Sequence, residues 1–142
     1  MRFFKFLVVV CLSVIGQYAH GQSTTLIVTV PNINPLKGEI QVSVYDNDES
    51  FLKENEEYKI YRFKVEEAKG RVVINDLPEI EYALIIYHDE NDNKKMDKSI
   101  IGMPKEGYGF SKNVKPGLSR PDFKDCSILL NKDVETEIKL MY

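Results

Sequence analysis

Asp89, Asn91, Asn93 and Asp97 stand at positions i, i+2, i+4 and i+8, with the backbone carbonyl of Lys95 available at i+6. Oxygen donors at alternate positions of a tight loop can point inward around one hard cation, and Ca²⁺ accepts about six to eight such oxygens in flexible geometry. The pattern matches the first part of a calcium loop. Lys94 holds the sixth position, where such loops place Gly, and Ile100 holds the twelfth, where they place a bidentate Glu. Glu106, Asp46 or Asp48 could supply the missing carboxylate through space. The same residue types also make Asx-turns and tolerate left-handed backbone, so an ion-free bend is the competing reading. Mg²⁺ demands stricter octahedral geometry. Zinc would find only His88 and Cys126 for nitrogen or sulfur ligands.

A second group follows at once, Gly102-Met103-Pro104-Lys105-Glu106-Gly107-Tyr108-Gly109-Phe110-Ser111. Its glycines and proline permit sharp turns and close backbone approach. Glu106, Tyr108, Phe110 and Ser111 are candidates for a presented ligand surface, the two rings stacking on a sugar or clamping a peptide; alternatively the rings plug one end of the fold. For catalysis the inventory is thin. A small hydrolase would have to use His88 with Ser111 or a carboxylate, but Ser111 lacks the Gly-x-Ser-x-Gly setting of a nucleophile elbow. His88 reads more simply as a strand-end histidine bonded to a backbone carbonyl. Cys126 shares a face with Ile128 and Leu130 and reads as a small buried hydrophobe. No residue is assigned as catalytic.

The elements that must position these residues are strands. Thr24 to Val30 alternates Leu26, Val28 and Val30 with Thr25, Ile27 and Thr29, the period of a half-buried strand. Gly38 to Tyr45 follows after a loop with two prolines, and the two strands are expected to pair as a hairpin across Asn32 to Lys37. Asp46 to Asn55 is a polar loop that pins Phe51 and Leu52 on the core. Tyr58 to Val65 and Arg71 to Leu77 read as further strands, the former one-sided. Tyr82 to His88 is apolar on both faces and so belongs at the centre of a sheet. Phe123 to Leu130 and Thr136 to Met141 complete the set. About seven short strands separated by polar turns predict an all-β, antiparallel sandwich, immunoglobulin-like or prealbumin-like. Asp89 to Pro121 is the single long loop, a length usually associated with function or disorder. Ile100, Ile101, Met103, Tyr108 and Phe110 favour an ordered loop.

Residues 1–21 read as a separate object. Arg2 and Lys5 precede the short apolar run Phe6 to Ile15, and Ala19 and Gly21 are small residues placed for cleavage, as in a secretory signal peptide. The run is too short for a membrane span, which needs about 20 apolar residues. The sandwich domain then occupies 22–142, exported to the periplasm or beyond, with Cys126 as its lone cysteine and no intrachain disulfide. The whole chain carries 19 basic and 22 acidic residues, and loss of Arg2 and Lys5 makes the balance more acidic still. That overall charge argues against nucleic acid and anionic membrane surfaces as partners. An envelope protein or glycan remains.

His88-Asp89-Glu90-Asn91, Asp97, Gly102-x-Pro104-x-Glu106-Gly107-Tyr108-Gly109-Phe110-Ser111-x-Asn113 and Pro121-x-Phe123-x-Asp125 resemble the signature of the exported bacterial family called domain of unknown function 2141. The resemblance runs from the Leu26 strand to the C-terminal strand. It implies a small secreted or periplasmic β-sandwich without an established activity. Two positions depart from the family pattern: Lys94 replaces the Gly after the ladder's Asn93, and Glu81 replaces the Gly before Tyr82. The reading at this level is a non-enzymatic binding or accessory module of the cell envelope with a Ca²⁺-stabilised loop, against a small hydrolase or a purely structural domain.

Overall fold

The computed structural model describes residues 24–117 and 119–142; the leader 1–21 lies outside them. Strand β1 (Thr24–Thr29) buries one face, as its alternation requires, and pairs antiparallel with β4 (Arg71–Leu77) and parallel with β8 (Val134–Glu137). Leu26 opposes Ile74 while Thr24 opposes Leu77, so β4 has one extra residue between these pairs. This bulge brings Ile74 and Leu77, three positions apart, onto the same buried side.

The second sheet runs β3 (Lys59–Lys64), β2 (Glu39–Tyr45), β5 (Glu81–Asp89), β6 (Tyr108–Phe110), with β7 (Ser127–Leu129) on the first part of β5. One face of β2 and β5 (Ile40, Val42, Val44, Tyr82, Leu84 and Ile86) meets Leu26, Val28, Val72 and Ile74 of the first sheet, the core of a β-sandwich. Central β5 is apolar on its other face too, because that face is also covered. Ala83 there joins Tyr45, Phe51, Phe110, Phe123 and Cys126. Phe51 meets Tyr45 at 5.5 Å and 89° and Phe123 at 5.9 Å and 81°, the edge-to-face geometry that aromatic quadrupoles favour.

Several expectations are corrected. β1 and β2 form no hairpin: they lie in different sheets, and Pro31 to Lys37 carries the chain between them. Proline lacks the N–H that a continued ladder requires. Phe123 to Leu130 is not one strand. Its first part is a helical turn, α1 (Phe123–Cys126), that buries Phe123 and Cys126 at helical spacing and exposes Lys124 and Asp125; only β7 is extended. The long excursion is shorter than read, since Tyr108 to Phe110 returns as β6. The last strand keeps its alternation, with Ile138 and Leu140 buried and Lys139 exposed. Its partners change, however. Val134–Glu137 lies beside β1, whereas Met141 bridges to Tyr108 at the edge of the other sheet.

Ile138 sits in this crossing segment without solvent exposure, as does Leu84 in β5. Truncation of either to Ala is expected to cost about 2–5 kcal/mol, the range for deleting buried aliphatic groups. Val73→Ala, on the 42 % exposed side of β4, should cost about 0.5 kcal/mol or less. Denaturant midpoints compared at equal m-value check the order.

Candidate functional site

The Asp/Asn ladder folds on itself. Asp89, buried at the end of β5, accepts the backbone N–H of Asn93 at 3.1 Å on one oxygen and that of Lys94 at 2.7 Å on the other. Asn91 Oδ1 also accepts the Asn93 N–H at 3.1 Å, and Asn93 Oδ1 accepts that of Lys95 at 2.8 Å. The free amide nitrogens then converge on Asp97, Asn91 at 2.8 Å and Asn93 at 3.1 Å. Lys95 takes part through its N–H. Asp92 and Lys94 turn the chain with φ of 58° and 62°, conformations that Asp and Asn side-chain bonding supports.

Glu106 closes the base of the excursion. It is 5 % exposed, and its two oxygens accept the N–H groups of Glu90 at 3.0 Å and Asp97 at 2.9 Å. Asp46 and Asp48 are not part of this arrangement. The pairing sets Glu39 opposite Asp89 and Tyr45 opposite Ala83, so Asp46 lies level with the first residues of β5, about 20 Å from Asp89 at the rise of a strand. The ladder's donors are all oxygens, the chemistry a hard cation requires. Yet the amide oxygens already serve backbone N–H groups, and Asp97 already serves two amides. A cation would enter by displacing the Asn91 and Asn93 amide groups. Among the described residues, no group of three or more His, Cys, Asp or Glu side chains gathers to hold a metal.

His88 is fully buried and both ring nitrogens are engaged. Nε2 lies 2.7 Å from the Lys37 carbonyl oxygen, and Nδ1 lies 3.2 Å from the Tyr142 hydroxyl. A carbonyl only accepts, so Nε2 is the donor there, which leaves Nδ1 to pair with the hydroxyl. Ser111 is occupied elsewhere: its hydroxyl accepts the Leu84 N–H at 2.9 Å and donates to the Cys126 carbonyl. Leu84 and His88 are four residues apart on β5, about 13 Å along the strand, so the hydrolase pair is not assembled. Cys126 is buried; burial first, then the charge of Asp125, push its thiol from 9.0 up to about 11, which suppresses thiolate at neutral pH.

The Gly-Tyr-Gly-Phe run is an edge strand against which the C-terminal segment lies. Tyr108 and Met141 exchange backbone hydrogen bonds at 3.0 and 2.7 Å. A Cβ on Gly107 would stand 2.5 Å from the Tyr142 ring, and one on Gly109 would stand 2.6 Å from the Lys139 carbonyl oxygen. Two asparagines hold the same segment. Asn113 donates to the Glu137 carbonyl at 2.9 Å and accepts the Lys139 N–H at 2.7 Å. Asn32 donates to the Leu140 carbonyl at 2.8 Å and accepts its N–H at 2.9 Å. Sequence reasoning missed Asn32 and Tyr142, for which no local pattern exists. It also misplaced the presented surface, because Glu106, Phe110 and Ser111 point inward and Tyr108 is half-buried. Within the excursion, the exposed large apolar groups are Ile100, Ile101 and Met103, at its far end.

Over residues 28–139 the chain matches the family described as "Uncharacterized protein conserved in bacteria (DUF2141)". The chain belongs to this family. The match takes in both sheets and the whole excursion, so the glycine-lined edge and the ladder belong to the family's domain rather than to an addition. No curated protein and no solved structure matches the chain.

Two outcomes are expected. Gly107→Ala should lower the melting temperature, and removal of the opposing ring in a Gly107→Ala/Tyr142→Ala double variant should cost less than the sum of the single changes. Cys126 gives a pH dependence. Its folded pKa is raised, so its contribution to stability is complete below the unfolded value and is lost as pH rises toward about 11. Native protein at pH 8 should resist alkylation that denatured protein undergoes. The alkaline fall in melting temperature should be smaller in Cys126→Ala.

Proposed function

We propose that this is an exported, non-catalytic sandwich module of the cell envelope that holds out the 89–106 excursion as its contact surface, with Ca²⁺ bound weakly at the ladder. One observation carries the reading. The excursion is braced at its base by two buried carboxylates, Asp89 and Glu106, each accepting two backbone N–H groups, yet its far end leaves large apolar side chains in solvent. A loop built only to close the sandwich would turn such groups inward. Export is supported by the leader pattern at residues 1–21. The contact surface fits a partner at the envelope.

Asn91, Asn93 and Asp97, with the Lys95 carbonyl and Asp89, would hold the ion, which would cross-link the ladder electrostatically. The competing amide–carboxylate bonds support a weak affinity, in the range of extracellular modules, Kd about 10⁻⁴ to 10⁻³ M. Residues 22–142, which contain both sheets, should melt higher in excess Ca²⁺ than in EDTA. Saturation at about 100 times Kd stabilises by about 2.7 kcal/mol, roughly 4–8 °C for a small domain, and Asp97→Asn should abolish the difference. Equal melting temperatures would remove the ion and leave the contact surface standing.

A further inference from the structure

The far end of the excursion is a small, ordered hairpin. Lys98 bridges to Pro104, the Lys105 N–H bonds the Asp97 carbonyl at 2.8 Å, and the Ser99 N–H bonds that of Met103 at 2.7 Å. The Gly102 N–H returns to the Ser99 carbonyl at 2.8 Å, with Gly102 at φ 82°. Ser99 Oγ also accepts the Met103 N–H at 3.0 Å. This turn sets Ile100, 107 % exposed, and Ile101, 85 % exposed, side by side at the apex, with Met103 at 59 % just behind. The apolar apex is therefore a built feature.

Its charge surroundings differ from those of the chain as a whole. The chain is net −3, but from Lys94 to Lys105 four exposed lysines, Lys94, Lys95, Lys98 and Lys105, accompany one carboxylate, Asp97. Asp97 is engaged with Asn91 and Asn93. Lys98 pairs with Glu54, whereas Lys94, Lys95 and Lys105 form no ion pair among the described residues. At the rise of a strand, Lys98 lies about 7 Å behind the Ile100 position, and Lys105, whose N–H bonds the Asp97 carbonyl, lies level with it across the hairpin, so this lysine collar sits below the apolar point.

We propose that this apex docks on an anionic lipid surface, with Ile100, Ile101 and Met103 entering the headgroup boundary and the lysine collar resting on the lipid charge. The inference rests on the excursion being the contact surface. The size of the apex selects lipid over a protein partner. The hairpin apex offers three exposed apolar side chains, roughly a few hundred Å² at most, against about 800 Å² per partner in a stable protein interface. A bilayer boundary asks for no complementary shape, and rewards apolar depth combined with nearby positive charge. The acidic total charge argued against such a surface, but charges more than about 10 Å from the contact are largely screened at ordinary ionic strength.

Vesicle co-sedimentation tests this with residues 22–142, which lack the apolar leader run. Binding to vesicles with about a third phosphatidylglycerol should exceed binding to pure phosphatidylcholine at least tenfold and weaken in high salt. Ile100→Ser/Ile101→Ser, at surface positions that leave the fold's melting temperature unchanged, should lose about tenfold or more. Lys105→Gln should lose roughly fivefold. Equal binding to both vesicles, or to neither, overturns the proposal. So does a concentration-dependent dimer in sedimentation that Ile100→Ser/Ile101→Ser dissolves, which would assign the apex to a second copy of the chain. The calcium melt is independent of these results, so failure of lipid binding leaves the ladder reading intact.

Discussion

The crossing of the C-terminal segment over the edge of β6 is the contact on which the rest of the structure depends. Residues 134–137 complete the first sheet beside β1, and a few residues later Met141 pairs with Tyr108 in the second. One short stretch of backbone thus hydrogen-bonds to both sheets within a few residues, besides the connections that carry the chain between them elsewhere. Such close passage leaves no room for Cβ atoms at Gly107 and Gly109. The segment has no continuous strand neighbour there, so Asn32 and Asn113 complete its hydrogen bonding with their side-chain amides, as buried backbone groups require. Tyr142 ends the seam by packing edge-on against buried His88 at 6.2 Å and accepting the Asn34 N–H at 2.7 Å.

That seam accounts for the behaviour of the excursion above it. With β6 fixed, Glu106 two residues before it is held where its carboxylate meets the N–H groups of Glu90 and Asp97. Burying a carboxylate is costly unless its oxygens are satisfied, and both Glu106 and Asp89 meet that condition through backbone donors. The bend and the hairpin beyond it are thereby braced from below while their outer residues stay in solvent. His88 and Ser111 belong to the same scaffold: each spends its polar atoms on structural partners.

Legibility in the sequence followed burial. The two-sided apolar run at Tyr82 to His88 announced a central strand because both of its faces are covered, and β1 and β3 showed their half-buried alternation. The expected β1–β2 hairpin failed because alternation reports how deeply a strand is buried, not which strand lies beside it. Phe123 and Cys126 are compatible with a strand or with one helical turn, and a four-residue window cannot distinguish the periods. The Gly-Tyr-Gly-Phe run was recognised as distinctive, but its glycines serve clearance for a distant segment rather than flexibility in a loop.

The sequence alone determined the all-β class, the central strand, the position of the one long excursion and the ladder's turn chemistry. All of these depend on side-chain periodicity or on bonds between residues a few positions apart. Tertiary structure alone decided the sheet order, the inward turn of Glu106, Phe110 and Ser111, the seam through Asn32, Asn113 and Tyr142, and the solvent-facing apex at Ile100 and Ile101. Those features depend on contacts between residues as many as 108 positions apart, for which no local spacing carries a signal.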